Sequence, residues 1–201
     1  MFYKVPFDQI IRQGDIIKGL SSPRIIVYRL LTGKNIFEGD SDPCFSIDMR
    51  FNCVVVMTPC CTIQKADYIS LCPLYPVSNK FIRNPYLVDD STRINTIVPP
   101  DKCIPPKGWD ELPLEEKRKR IQRGPVFVFQ SNFVFKKFEN IFEDNMIIDF
   151  NDTFSIRRKD LGNNNERLLL AKILQLTDDR RATLRQKLIK YYDRIPEEEE
   201  R

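Results

Sequence analysis

Apolar positions in this chain come in short clusters separated by turn-forming residues, a pattern of many short strands. Val54-Val55-Val56, inside the apolar stretch Phe51 to Met57, has no polar member and predicts a strand covered on both faces. Pro59 ends it. Further strands are predicted at Asp15 to Gly19, Arg24 to Leu31, Asp67 to Leu74, Val126 to Phe129, Asn132 to Phe135, Met146 to Phe150 and Phe154 to Ile156. Leu168 to Leu176 is apolar and fits either strand or helix. Pro6 at a first-turn position and Gly14 as a stop predict a short helix over 6–13. The last element is a helix. Thr177 is its N-cap, Asp178 and Asp179 suit the positive end of the dipole, and Leu184, Leu188, Tyr191 or Tyr192, and Ile195 recur at helical spacing until Pro196.

Two stretches break this rhythm. Gly33 to Pro43 is polar and reads as a loop. Residues 76–124 carry prolines at 76, 85, 99, 100, 105, 106 and 113, and read as an irregular insertion ending in a short helix, Leu114 to Gln122, stopped by Gly124. The expectation is one domain over 1–195 with that insertion, followed by an acidic tail at 196–201. Its class is α+β, mainly β: a small barrel-like domain with a C-terminal helix.

Composition narrows the chemistry. The 201 residues contain no histidine, which excludes His-dependent triads and His-bearing zinc sites. The 7 glycines form no phosphate-cradling loop, so nucleotide-hydrolase and dinucleotide-dehydrogenase readings fall. A net charge of +4, divided evenly between the halves, permits RNA or DNA contact without predicting it. The opening residues lack the apolar segment of an export signal, and no run approaches the roughly 18 apolar residues of a membrane helix. A cytoplasmic protein with no membrane association is expected, its six cysteines (Cys44, Cys53, Cys60, Cys61, Cys72, Cys103) reduced.

Several side-chain groups could carry chemistry, and each has a plainer reading. Thr58-Pro59-Cys60-Cys61-Thr62 sits at a strand end. Cys60 and Cys61, with Cys72, could form a reactive thiol site, and adding Cys103 gives a four-sulfur zinc site. Small apolar cysteines filling the core is the stronger reading, and no cofactor is expected. Lys117, Arg118, Lys119 and Arg120, with Arg123, could bind phosphates, against a solvated helix face paired to Glu115 and Glu116. The basic terminal helix could meet RNA or a partner, against simply packing its leucines. Asp15, Asp48, Asp67 and Asp149 are acids near strand ends that could hold Mg²⁺ if two converged. Phe127, Phe129, Phe133, Phe135 and Phe138 could form a base-stacking platform, but core packing accounts better for 14 phenylalanines.

Gly14-Asp15-Ile16, Val54-Val55-Val56-Met57-Thr58 and Leu71-Cys72-Pro73-Leu74 resemble successive strands of the MazF/PemK-type toxins, which have an SH3-like barrel. A nearer resemblance is to an uncharacterised bacterial family with Gly-Asp-Ile, Thr-Pro-x-Cys-Asp-Ile, a Val-Asp-Phe strand and a helix ending Tyr-Tyr-x-Arg. Here these are Gly14-Asp15-Ile16, Thr58-Pro59-Cys60-Cys61-Thr62-Ile63, Ile148-Asp149-Phe150 and Tyr191-Tyr192-Asp193-Arg194. The toxins' RNA-cleaving Arg and Thr align near Asn52 and Tyr75, and Thr62 replaces the family's acid. The resemblance therefore implies a shared frame without the same nuclease chemistry.

The leading expectation is a non-catalytic binding or accessory module of a bacterial stress or phage-defence system, with a protein partner. The resemblance also implies a homodimer. The alternative is a toxin-like endoribonuclease, for which Arg50, Thr58 and Lys65 are the nearest residues to stabilise a phosphorane and orient a 2′-OH. The third reading is the thiol or zinc site.

Overall fold

The computed structural model describes residues 1–27, 45–82, 88, 91–96, 111–116, 130–161 and 166–193. The predicted loop at 33–43, the strand at 126–129, the basic run Lys117 to Arg120, Arg123, Cys44, Cys103 and the tail lie outside them. No helix among the described residues is long and apolar enough to cross a membrane.

The class is α+β, mostly sheet. Strands β1 (Ile16–Val27), β2 (Phe45–Val56), β3 (Tyr68–Pro73), β7 (Phe154–Arg157) and β8 (Lys172–Leu174) form one antiparallel sheet in the order β7-β3-β2-β1-β8. Strands β4 (Tyr75–Pro76), β5 (Asn132–Phe135) and β6 (Met146–Asp149) form a second, in the order β4-β6-β5.

Period-2 alternation sorts the strands between two cores. Ile16, Val55 and Cys72 face the second sheet, meeting Phe133, Phe135 and Ile148 together with Leu184 and Leu188 of the last helix, α3 (Asp178–Tyr192). Ile17, Val54, Val56, Ile69 and Leu71 face the other way, under Ile63, Leu161 and Leu168. Both faces of β2 are thus covered, as its unbroken valine run predicts. Val134 and Ile147, on the outer face of the second sheet, are covered by Val77 of α1 (Val77–Lys80), Phe81 and Ile94. Ile94 belongs to a 3-10 turn, Ser91–Asn95, so the described part of the 76–124 stretch supplies core residues as well as strand β4.

Two expectations need correction. Residues 6–13 are not helical but a run of bends and turns. Their backbone groups are taken by distant side chains: Asp8 N–H donates to Gln175 Oε1 at 2.8 Å, and Lys172 Nζ donates to the carbonyls of Asp8 and Ile10 at 3.0 and 2.9 Å. The strand expected at 15–19 and the described part, 24–27, of the one expected at 24–31 are a single strand, β1, because pairing to β2 runs through Ser21-Ser22-Pro23; residues 28–31 lie outside the described residues. One extra residue in β1 between Ile17 and Leu20, with Gly19 at φ +82°, makes the bulge that absorbs the offset. The apolar run 168–176 holds both structures, α2 (Glu166–Leu170) and then β8.

The terminal helix starts as expected but ends at Tyr192, with Asp193 as its C-cap, short of the expected Ile195 and Pro196, and Thr177 does not cap it with its hydroxyl, which faces the carbonyls of Met1 and Phe2 at 3.5 Å. Lys4 N–H donates to Gln175 O at 2.8 Å and Tyr3 bridges to Leu176, so the N-terminus pairs with the segment that follows β8.

Candidate functional site

The motifs that carry the family resemblance meet in pairs. Gly14 is left-handed at φ +86°, and a Cβ there would lie 2.7 Å from Leu176 Cδ1, so glycine is required for both backbone and space. Asp15 accepts from Arg12 N–H at 2.7 Å and pairs with Lys172 at 2.8 Å, the two side chains 1% and 0% exposed. Burial raises the Asp15 carboxyl above its ordinary range, and the hydrogen bond and charge of Lys172 pull it back. Ile16 enters the core.

This corner is tied to the Thr58-Pro59-Cys60 turn. Gln13 Nε2 donates to Met57 O at 2.7 Å, and Gln13 N–H donates to Cys60 Sγ at 3.3 Å. Thr58 Oγ1 accepts from Ser70 N–H at 2.8 Å, fixing the end of β2 to β3. Thr62, standing where the family has an acid, uses its hydroxyl to close the turn on Pro59 O at 2.9 Å.

The second pair of motifs meets at the other end. Lys80 Nζ donates to Asp149 Oδ2 at 2.9 Å and lies 3.7 Å from Asp152. Asn151 donates to Asp149 Oδ1 from its backbone at 3.1 Å and its side chain at 2.7 Å. Tyr191 OH donates to Asn151 Oδ1 at 2.6 Å, and its ring packs edge-on against Phe150 with centroids 5.3 Å apart. The acids that converge are thus Asp149 and Asp152, around a lysine. Asp15 is paired elsewhere, Asp67 is exposed, and Asp48's side chain lies outside the description.

A cleft of about 600 Å³ opens between the end of α3 and the Tyr68–Ser70 face of β3. Met57, Pro59, Tyr68, Leu188, Ile189 and Tyr192 give it an apolar lining. Gln13, Thr58, Ser70 and Thr153 add polar groups, and Arg185 and Asp193 one charge of each sign. Gln13 is 3% exposed and its Oε1 has no hydrogen-bond partner among the described residues. A second cleft of about 460 Å³, on the other side of the Thr58–Cys60 turn, has Cys60, Arg12 and Arg158 among its lining residues.

The structure separates several residues that the sequence grouped. Thr58 is buried and lines the first cleft, whereas Lys65 is exposed in the following turn and does not line it. Arg50 is on β2 opposite Ser22, its side chain outside the description. Cys61 is exposed and Cys60 half-buried. Cys72 is buried in the core, its thiol donating to Asp149 O at 3.1 Å, and burial pushes that thiol up to about 12. No group of three His, Cys, Asp or Glu among the described residues is placed to hold a metal ion. Phe133 and Phe135 are fully buried and Phe138 packs against Tyr3, so these three rings build core rather than a platform.

Sequence reasoning missed Gln13, Lys172 and Gln175, which organise the first corner, and Lys80, Asn151 and Asp152, which organise the second. No family model matches the chain, and no curated protein matches it by sequence.

Proposed function

We propose that the chain is a non-catalytic binding module on a MazF/PemK-like barrel frame, and that the cleft beneath the end of α3 receives an apolar segment of a protein partner. The observation that carries this reading is the convergence on one cleft of Tyr68, Ile189 and Tyr192, 54%, 58% and 68% exposed. Large apolar side chains left in water around a concave site favour a guest that covers them. The unpartnered Gln13 Oε1 offers an acceptor to an N–H of that guest, and Arg185 and Asp193 fix its orientation. The frame is supported by the face-to-face packing of two antiparallel sheets and by the Gly14-Asp15-Ile16 strand opening beside α3.

The test is affinity capture from native cells with the wild-type chain, Ile189→Glu and Tyr192→Ala. A protein held by the wild type and lost from both variants supports the reading. Equal recovery by all three, or none by any, counts against it. The same preparations are incubated with a long mixed-sequence RNA, with and without Mg²⁺. Discrete fragments that disappear in Thr58→Ala would replace the binding module with an endoribonuclease. A salt-sensitive gel shift without cleavage would make the partner a nucleic acid.

A further inference from the structure

We propose that the second cleft binds a small peptide thiol carrying two carboxylates and one ammonium, the chemistry of glutathione, and that Cys60 exchanges into its disulfide. The cleft, about 460 Å³, is of a size that holds such a molecule. Four functional side chains reach it from four separate segments: Arg12 from the turn before β1, Cys60 from the turn after β2, Arg158 from the residue that follows β7, and Glu166 from the start of α2. Ile63 and Leu169 add an apolar wall. This cleft shares none of its described lining residues with the partner cleft.

Each cation is held in place without losing its charge. Arg158 donates from its guanidinium to the carbonyl of Gln64, a neutral acceptor, and from its backbone N–H to Asp67 O at 2.8 Å. Arg12 Nε donates to Asp8 at 3.0 Å, but the same carboxylate meets Lys4 at 2.5 Å, so one anion is shared by two cations. A charged guanidinium with one nitrogen already fixed is a preorganised receptor for a carboxylate. Two of them match a ligand with two carboxylates, and Glu166 supplies the opposite charge for its ammonium. A phosphate would use the arginines but meet Glu166 as a like charge. Cys60 Sγ accepts from the Gln13 N–H at 3.3 Å, a donor that serves a thiolate as well as a thiol.

The covalent step is exchange with the disulfide form of the ligand. The Cys60 thiolate attacks one sulfur of that disulfide and a bond from Cys60 Sγ to it forms. The ligand's own S–S bond breaks, and the departing thiolate takes up the proton that Cys60 released. Cys60 is oxidised, the departing half is reduced, and no other reagent is needed. Cys61 is exposed and Cys60 half-buried. Accessibility alone favours Cys61, so modification of Cys60 first is the mark of recognition.

Two kinds of probe separate recognition from reactivity. S-methylglutathione cannot exchange. Titrated to about 10 mM against the isotope-labelled chain, it should shift the amide signals of Arg12, Cys60 and Glu166 saturably. Its diethyl ester, which lacks both free carboxylates, should bind at least about tenfold more weakly, and S-methylglutathione should lose about as much on Arg158→Gln and on Glu166→Gln. Cys60→Ser should leave that binding unchanged. The ester comparison needs no change in the protein, so it decides the matter even where a variant folds poorly. Oxidised glutathione, followed by mass mapping of short pulses, should modify Cys60 before Cys61, whereas uncharged hydroxyethyl disulfide should modify Cys61 first. No saturable binding of S-methylglutathione, equal binding of its diethyl ester, or Cys61 modified first by both disulfides would each overturn the inference.

Discussion

Replacing Lys172 by Met should do more damage than any surface change in this chain. The Lys172 side chain is fully buried, and its ammonium faces four acceptors: Asp15 Oδ2 at 2.8 Å, Gln175 Oε1 at 2.9 Å, Ile10 O at 2.9 Å and Asp8 O at 3.0 Å. Met keeps the stem and removes every donor. Asp15 is then left buried without its counter-ion, a change that costs about 3–5 kcal/mol. With a urea m-value of about 2 kcal/mol/M, the unfolding midpoint should fall by roughly 2 M. The loss should also depend on pH. Burial already holds Asp15 above its ordinary value, and Lys172 opposes that rise, so its removal lifts the folded-state pKa further. Between the unfolded and folded values the folded chain keeps a proton that the unfolded chain has lost, so stability falls as pH rises through that window. The window is wider in the variant. Its deficit against wild type is therefore largest at neutral pH and narrows in acid, where Asp15 is neutral in both. Asp8, held low by bonds to Lys4, Gln175 and Arg12, keeps those partners in both proteins. A loss below about 1 kcal/mol, or one that grows toward acid, would refute the reasoning. Adding Asp15→Asn to Lys172→Met should recover part of the loss, because neither half of that pair then leaves a buried charge.

Three further outcomes are expected. Asn95→Ala should cost about 1–3 kcal/mol by thermal melting and speed amide exchange at Val134, since both backbone groups of that buried residue lose the side chain that bonds them. Gly14→Ala should cost about 2–4 kcal/mol, adding left-handed strain to a contact 2.7 Å from Leu176 Cδ1, and equal stability in chemical denaturation would contradict it. Thiol alkylation at pH 8 should label exposed Cys61 quickly and Cys72 only on unfolding, because Cys72 is fully buried with its thiol pushed up to about 12; mass mapping of a short pulse decides this.

What the sequence made legible was what local pattern controls. Val54 to Val56, Asn132 to Phe135 and Asp178 to Tyr192 form the elements predicted for them, because their apolar residues fall on the faces the fold covers: both faces of the two strands and the Leu184 and Leu188 face of the helix. The segment at 6–13 went the other way because its hydrogen-bond partner Gln175 is 167 positions along the chain from Asp8. Lys172 and Gln175 inside the apolar run 168–176 are the available signal, since polar groups in a buried run need partners. Nothing local points to Lys80 and Asp149, or to Asn95 and Val134. Their pairing depends on how the 76–96 stretch lies against the second sheet.

The two corners bear on what the family resemblance can transmit. Gly14 is fixed by Leu176, Asp15 by Lys172, Thr58 by Ser70 and Tyr191 by Asn151. Gly14 makes room for the close approach of Leu176, and the other three spend their functional groups on ties between separate elements. Such ties account for the presence of the motifs by what they hold together, with no reacting atom required. Chemistry or recognition then falls to the positions the ties leave open. Around the cleft these are Tyr68, Arg185, Ile189, Tyr192 and Asp193, and apart from the last two they lie outside the motifs. Two proteins sharing the motifs can therefore share the frame and still take different partners, because the frame-setting residues and the surface-setting residues are largely separate sets.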